Sequence, residues 1–160
     1  MSLVNRNGWT AYALALAILV VDQLSKHWIL FVYNLPARLS EQVLGPLHLT
    51  MVWNQGVSFG LLRADHDLGR WLLVAFSVLV AIALTLWARR SERPLMAAAL
   101  GLVIGGAIGN AIDRARFGAV VDFIDVSRLY FPWVFNVADA AICIGVGLLL
   151  LDSLRKDPQT

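Results

Sequence analysis

The chain has 160 residues, 59% of them hydrophobic and 15% charged, with a formal net charge of +2 and a mean hydropathy of +0.69. Soluble domains run about 45–50% apolar and about 25% charged, so this composition predicts one integral-membrane domain over residues 1–160. The low net charge without a basic patch argues against nucleic acid, the single cysteine (Cys143) excludes an internal disulfide or a cysteine-rich metal site, and His27, His48 and His66 form no HExxH pair, so no metal or cofactor is expected.

A membrane span needs roughly 20 apolar residues. The first is expected over residues 9–33, where WTAYALALAILVV is followed by the polar insert DQLSKHW and then ILFVY. Its leading segment is weakly basic, no small-residue cleavage site follows, and Asp22 interrupts it, so it reads as a retained span and not a cleavable leader. The loop over residues 34–69 contains PLHLTMVWNQGVSFGLL, rich in β-branched and aromatic residues, which predicts two short strands around a turn at Asn54-Gln55-Gly56. The second span is expected over residues 71–88, the third over 95–112 with Asn110 near its end, and the fourth over 137–151. Between the third and fourth, residues 114–136 carry VVDFIDV and LYFPWVF, again strand-like. The reading is therefore a membrane all-α chain of four helices with a small β cap built from the first and third loops.

Orientation follows Lys and Arg in the loops. Arg6, Arg89, Arg90, Arg93, Arg155 and Lys156 lie on one side; Arg38, Arg63, Arg70, Arg114, Arg116 and Arg128 lie on the other. The counts tie, but three arginines are packed into the tight loop ARRSERP, which places both termini in the cytoplasm and the β cap outside. Trp9, Trp28, Trp53, Trp71, Trp87 and Trp133 fall near span ends or in the exposed loop, as interfacial aromatics do.

An ionisable group at a helix centre in the bilayer costs about 2.5–3.5 kcal/mol on the insertion scale, so each polar residue here needs a reason. Asp22 and Lys26 sit in the later half of span one, Asn110, Asp113 and Arg114 at the exit of span three, Asp122 in the following loop, and Asn136 and Asp139 at the head of span four. Four-span connectivity brings all of them to one face. Plainer roles exist for several. Asp22 and Lys26 are spaced i,i+4 and can pair with each other. Asn110, Asp113 and Arg114 share a helical face and can tie loop to helix. Asp139 is the N3 residue of a helix capped by Asn136, where a carboxylate meets the positive helix end. Asp125 reads as an interfacial loop acid and Cys143 as a small core residue. Asp122 has no such explanation: Val120, Val121, Phe123 and Ile124 offer it no partner, and strand alternation turns it away from Val121 and Phe123.

Two carboxylates sharing one proton hydrolyse peptides: one activates water and the other hydrogen-bonds the scissile carbonyl. The string GVSFG (56–60) has GxSxG spacing, but no His is placed with a span serine, and a GxGD intramembrane aspartyl motif is absent. VDQLSKHW (21–28), WNQGVSFG (53–60), GGAIGNAIDRARFGAVVDFIDV (105–126) and FNVADAAI (135–142), in this order on four spans, resemble the lipoprotein signal peptidase family, signal peptidase II, over essentially the whole chain. That resemblance implies four helices with a periplasmic β-platform and an aspartyl endopeptidase of the bacterial inner membrane. It further implies cleavage of diacylglyceryl-modified prolipoproteins just before the lipidated cysteine, and blockage by globomycin-type cyclic peptides. By motif, it assigns Asp122 and Asp139 as the catalytic pair. Asn54, Gly56, Asn110, Asp113, Arg114 and Asn136 become substrate-binding or supporting residues, with Asp22 and Lys26 from the first-span motif. A monomer would suffice, since both acids come from one chain. Two other classes compete for the same residues: a proton or ion carrier using Asp22, Lys26 and Asp139, and a non-catalytic scaffold. The first lacks a charged path across the spans, and the second leaves the paired acids unexplained.

Overall fold

The computed structural model describes residues 3–56, 67–129 and 132–154. Four long helices are each apolar enough to cross a membrane. Helix α1 covers Arg6–His27 and runs on through a π-helical turn, Trp28–Val32; a four-residue helix, α2, follows at Leu35–Arg38. Helix α3 covers Asp67–Ala88, α4 Pro94–Phe117 and α5 Val137–Leu154. All four expected spans are present, with longer bounds. The extra lengths have local causes: Asn5 caps α1 by accepting the Gly8 N–H at 2.8 Å, and α4 continues to Gly118, whose φ of +81° closes it.

Helix α4 is the centre of the bundle and packs against α1, α3 and α5. Its small residues allow this. A Cβ on Gly101 would stand 2.6 Å from the Ala11 carbonyl oxygen, and one on Gly105 2.6 Å from that of Ala15, so α1 rests directly on a small-residue stripe of α4. On the opposite flank a Cβ on Gly106 would meet the Ala138 carbonyl oxygen of α5 at 2.5 Å. The outward faces of α1, α3 and α5 expose Leu16, Phe76, Leu79 and Leu150, as lipid-facing surfaces should. All six tryptophans are also exposed, by 42–63%.

At one end of the bundle the two loops build a single antiparallel sheet in the order β1-β2-β3-β4. Its strands are β1 (Ser40–Leu44), β2 (Leu47–Asn54), β3 (Val120–Asp125) and β4 (Val134–Phe135). A hairpin turn joins β1 to β2 at Gly45–Pro46, where Gly45 supplies the positive φ of 52°, and Asn54-Gln55-Gly56 begins a turn of its own, the Gly56 N–H donating to Asn54 Oδ1 at 3.1 Å. The strand expected after Gly56 lies outside the described residues, as do Arg63, His66, Arg155 and Lys156. Strand β3 pairs with β2 in the register Val52↔Asp122 and Trp53↔Val121. Alternation then does what the sequence requires. Val121 and Phe123 face down into a core with Ile29, Leu30 and Leu35, which the π-helical turn and α2 deliver, and Asp122 faces the other way. At the opposite end of the bundle Asn5 Nδ2 donates to the Ser91 carbonyl at 2.8 Å and Arg93 pairs with Asp152 at 3.2 Å.

Candidate active site

Asp122 sits mid-strand on β3 and is 2% exposed. Its partners come from far away in the chain: Asn136 Nδ2 donates to Oδ1 at 2.7 Å and Asn54 Nδ2 to Oδ2 at 3.1 Å. Asp139, half-buried in the first turn of α5, receives Asn110 Nδ2 at 2.8 Å on Oδ1 and the Asn136 backbone N–H at 3.2 Å on Oδ2. In return the Asp139 N–H donates to Asn136 Oδ1 at 2.9 Å, a reciprocal capping box that fixes the head of α5. Asn136 thus touches both acids.

Both acids line one cavity of about 400 Å³, walled also by Asn54, Trp133, Phe135, Ala140, Cys143 and Ile144. Cys143 is exposed on this wall and not a core residue, because α5 turns that face toward the cavity and away from α4. The Asp122 carboxyl is pushed up to about 7, first by burial and then by the charge of Asp139, against the opposing donors of Asn54 and Asn136. Arg114 is half-buried, with its charge facing Asp139, Asp122 and Asp113. Its Nη1 reaches the Asn110 carbonyl at 3.5 Å, and its buried Nε has no hydrogen-bond partner among the described residues. Gly56 donates its N–H to Asn54 Oδ1 at 3.1 Å, closing an Asx turn that sets the angle at which Asn54 meets Asp122.

Beneath the pair lies a second polar layer. Lys26 Nζ is 2.8 Å from Asp22 Oδ2, 2.7 Å from Asp113 Oδ2 and 3.2 Å from Asn110 Oδ1. The i,i+4 pairing of Asp22 and Lys26 is therefore real, but Lys26 is equally a partner of α4. All ten residues singled out by sequence gather at this end of the bundle. Asp125 stands apart: it ends β3 opposite His48, accepts Thr50 Oγ1 at 2.6 Å and the Ser127 N–H at 2.9 Å, and so ties strands instead of lying in a loop. The Thr50 hydrogen bond, chiefly, holds its carboxyl below the usual range.

The sequence profile described as signal peptidase (SPase) II matches residues 14–155. This chain belongs to the signal peptidase II family. It is similar to the lipoprotein signal peptidase of Caulobacter vibrioides, 60% identical over 155 residues that cover 96% of this chain and 92% of that one. The lipoprotein signal peptidase of Methylorubrum extorquens is 50% identical over 145 residues, covering 90% and 85%. A bacterial membrane enzyme structure solved by the in meso method superposes with a TM-score of 0.79 at 29% identity, covering 100% of this chain and 98% of that one. A second such structure gives 0.79 at 28% identity, covering 98% and 99%. In this member of the signal peptidase II family one polar residue of the site, Gln23, was not singled out by sequence. Its Nε2 donates to Asp113 Oδ1 at 3.0 Å, Asp22 Oδ2 at 3.2 Å and the Gly109 carbonyl at 3.3 Å. The available signal was an uncharged amide inside a span, next to Asp22. Among the described residues no group of three or more His, Cys, Asp or Glu is placed to hold a metal ion.

Proposed function

We propose that this chain is an aspartic endopeptidase that removes the signal peptide from diacylglyceryl-modified prolipoproteins, cutting just before the lipidated cysteine. The observation that carries this reading is the meeting of Asp122 and Asp139, from separate elements, in one cavity with Asn136 bonded to both. With the Asp122 carboxyl pushed up to about 7, the pair retains one proton near neutral pH. The carboxylate without that proton draws one from a water molecule, whose oxygen attacks the scissile carbonyl carbon. The protonated acid hydrogen-bonds the carbonyl oxygen as negative charge grows there. When the tetrahedral intermediate collapses, the C–N bond breaks and the leaving amine takes a proton from the pair.

Asn110, Asn136 and Asn54 fix the carboxylates. Gly56 fixes Asn54, and Asp22, Lys26 and Asp113 support the pair from below. Arg114 adds positive charge close to the reacting groups. The cavity's position at the sheet end of the bundle suits a substrate whose acyl chains hold its scissile bond near headgroup depth. We place the enzyme in the bacterial inner membrane as a single domain and a monomer. Both termini are then cytoplasmic, the sheet and cavity face the periplasm, and globomycin-type cyclic peptides block the cavity.

The test is cleavage of a diacylated prolipopeptide by purified enzyme, followed by mass spectrometry. Asp122→Asn and Asp139→Asn are expected to abolish cleavage while retaining the folded protein, whereas Asp125→Asn keeps activity within about threefold, as surface changes outside such a site do. Cleavage that survives either of the first two substitutions rejects the reading.

A further inference from the structure

We propose that Lys26 is the positioning residue that sets the spacing of Asp122 and Asp139; this rests on the aspartic reading above. One ammonium group is bonded to two carboxylates, Asp22 at 2.8 Å and Asp113 at 2.7 Å. Each carboxylate accepts the backbone N–H of the residue just before one of the pair. Asp22 Oδ1 takes the Ala138 N–H at 3.0 Å, next to Asp139, and Asp113 Oδ2 takes the Val121 N–H at 3.2 Å, next to Asp122. The links therefore run from Asp139 through Ala138, Asp22, Lys26, Asp113 and Val121 to Asp122. They bring three helices and a strand to a single cation.

Burial makes the linkage stiff. Lys26, Asp22 and Asp113 are 2%, 0% and 1% exposed, so water does not compete for their bonds. Every oxygen of the two carboxylates has a donor. Gln23 donates to the same two carboxylates, on Asp22 Oδ2 and Asp113 Oδ1. A Cβ on Gly109 would come within 2.5 Å of Asp22 Oδ2, so α4 presses on that carboxylate from behind. Lys26 has no described contact with the cavity that Asp122 and Asp139 line, and reaches the pair through these backbone links, through Asn110, which it meets at 3.2 Å and which bonds Asp139, and through its charge, which lowers the Asp122 carboxyl. Without it, two buried carboxylates face each other with no cation bonded to either, and their repulsion moves Val121 and Ala138 apart. Arg114 is a second cation near this layer, whose charge Asp122, Asp139 and Asp113 already share, and Arg116 and His27 line one small cavity with Lys26, Gln23 and Asp113.

The prediction concerns the pair's titration as well as its rate. Two acids that share a proton titrate at two apparent values, which draw together as the carboxylates separate. The pH–rate bell should therefore narrow. Full-length enzyme is assayed on a diacylated prolipopeptide across pH, with kcat and KM separated, for Lys26→Met, Gln23→Leu and Asp122→Asn. Lys26→Met is expected to lower kcat about 100-fold, with KM within about threefold, as a small displacement of reacting groups does. Separation of the pair narrows the bell, while the lost Lys26 charge lifts the Asp122 limb and offsets part of that narrowing. Gln23→Leu keeps every charge and is expected to lower kcat about tenfold with narrowing in the same sense. A bell of wild-type width, with activity falling only in proportion to folded protein, overturns the proposal. If Lys26→Met does not accumulate, Gln23→Leu decides by the same two readouts. Cleavage that survives Asp122→Asn overturns the aspartic reading itself. An inactive Asp122→Asn beside wild-type kcat and width in the other variants overturns the positioning role alone.

Discussion

Asn136 donates its side-chain amide to Asp122 at 2.7 Å while its side-chain oxygen accepts the Asp139 N–H at 2.9 Å. One fully buried asparagine is thus both the cap of α5 and the link between a strand acid and a helix acid. Capping and site assembly are the same event, since the head of α5 cannot form its reciprocal box without aiming Nδ2 at Asp122.

The two roles separate by substitution. Asn136→Ser keeps a good capping oxygen, which is too short to reach Asp122; Asn136→Ala loses both. Asn136→Ala is expected to cost about 0.5–2 kcal/mol more stability than Asn136→Ser. Both should lose about 10–100-fold in kcat/KM, the worth of a hydrogen bond to a charged group. Thermal unfolding in detergent and steady-state cleavage measure the two effects. Equal stabilities with unequal activities would contradict the assignment.

The pH dependence follows from Asp122. Its value of about 7 means the pair loses its remaining proton as pH rises through neutrality, so cleavage falls above about pH 7. Asn54 donates to the ionised form of Asp122 and opposes the upward shift. Asn54→Ala should therefore move the alkaline limb to higher pH, by about one pH unit. An alkaline limb that stays put or moves down would refute the role given to Asn54.

Bundle packing is tested away from the site. A Cβ on Gly101 meets the Ala11 backbone oxygen at 2.6 Å, where nothing flexible can give way; one on Gly147 meets nothing within 4 Å. Gly101→Ala is expected to destabilise by about 1–3 kcal/mol. Gly147→Ala should stay within about 0.5 kcal/mol. Thermal midpoints of the two variants in the same detergent make the comparison, and similar midpoints would contradict the close α1–α4 approach.

Much of this was legible in the sequence, for identifiable reasons. Apolar run length gave the four spans, and the gathering of Asp22, Lys26, Asn110, Asp113, Arg114, Asp122, Asn136 and Asp139 followed from connectivity alone. The isolation of Asp122 among apolar neighbours correctly implied a distant partner, which proved to be Asn54 and Asn136. Asn54-Gln55-Gly56 does carry turn chemistry, an Asx turn at the end of β2, whereas β1 and its turn at Gly45-Pro46 had no such signal inside the strand-like run, which opens at Pro46. Gln23 was passed over because an uncharged amide leaves no charge to balance. Its importance shows only once Asp22 and Asp113 stand on either side of it. Cys143 was misread because an apolar helix does not announce which of its faces meets a cavity.

The bond from Ala138 N–H to Asp22 spans 116 positions of the chain, and it joins α1 to α5. On the chemistry proposed here, Asp139 and its setting arrive only with α5. A nascent or partly inserted chain therefore holds one acid without its mate and cannot hydrolyse anything. The order of synthesis works as a safety catch, and hydrolytic power comes only once α5 has joined α1.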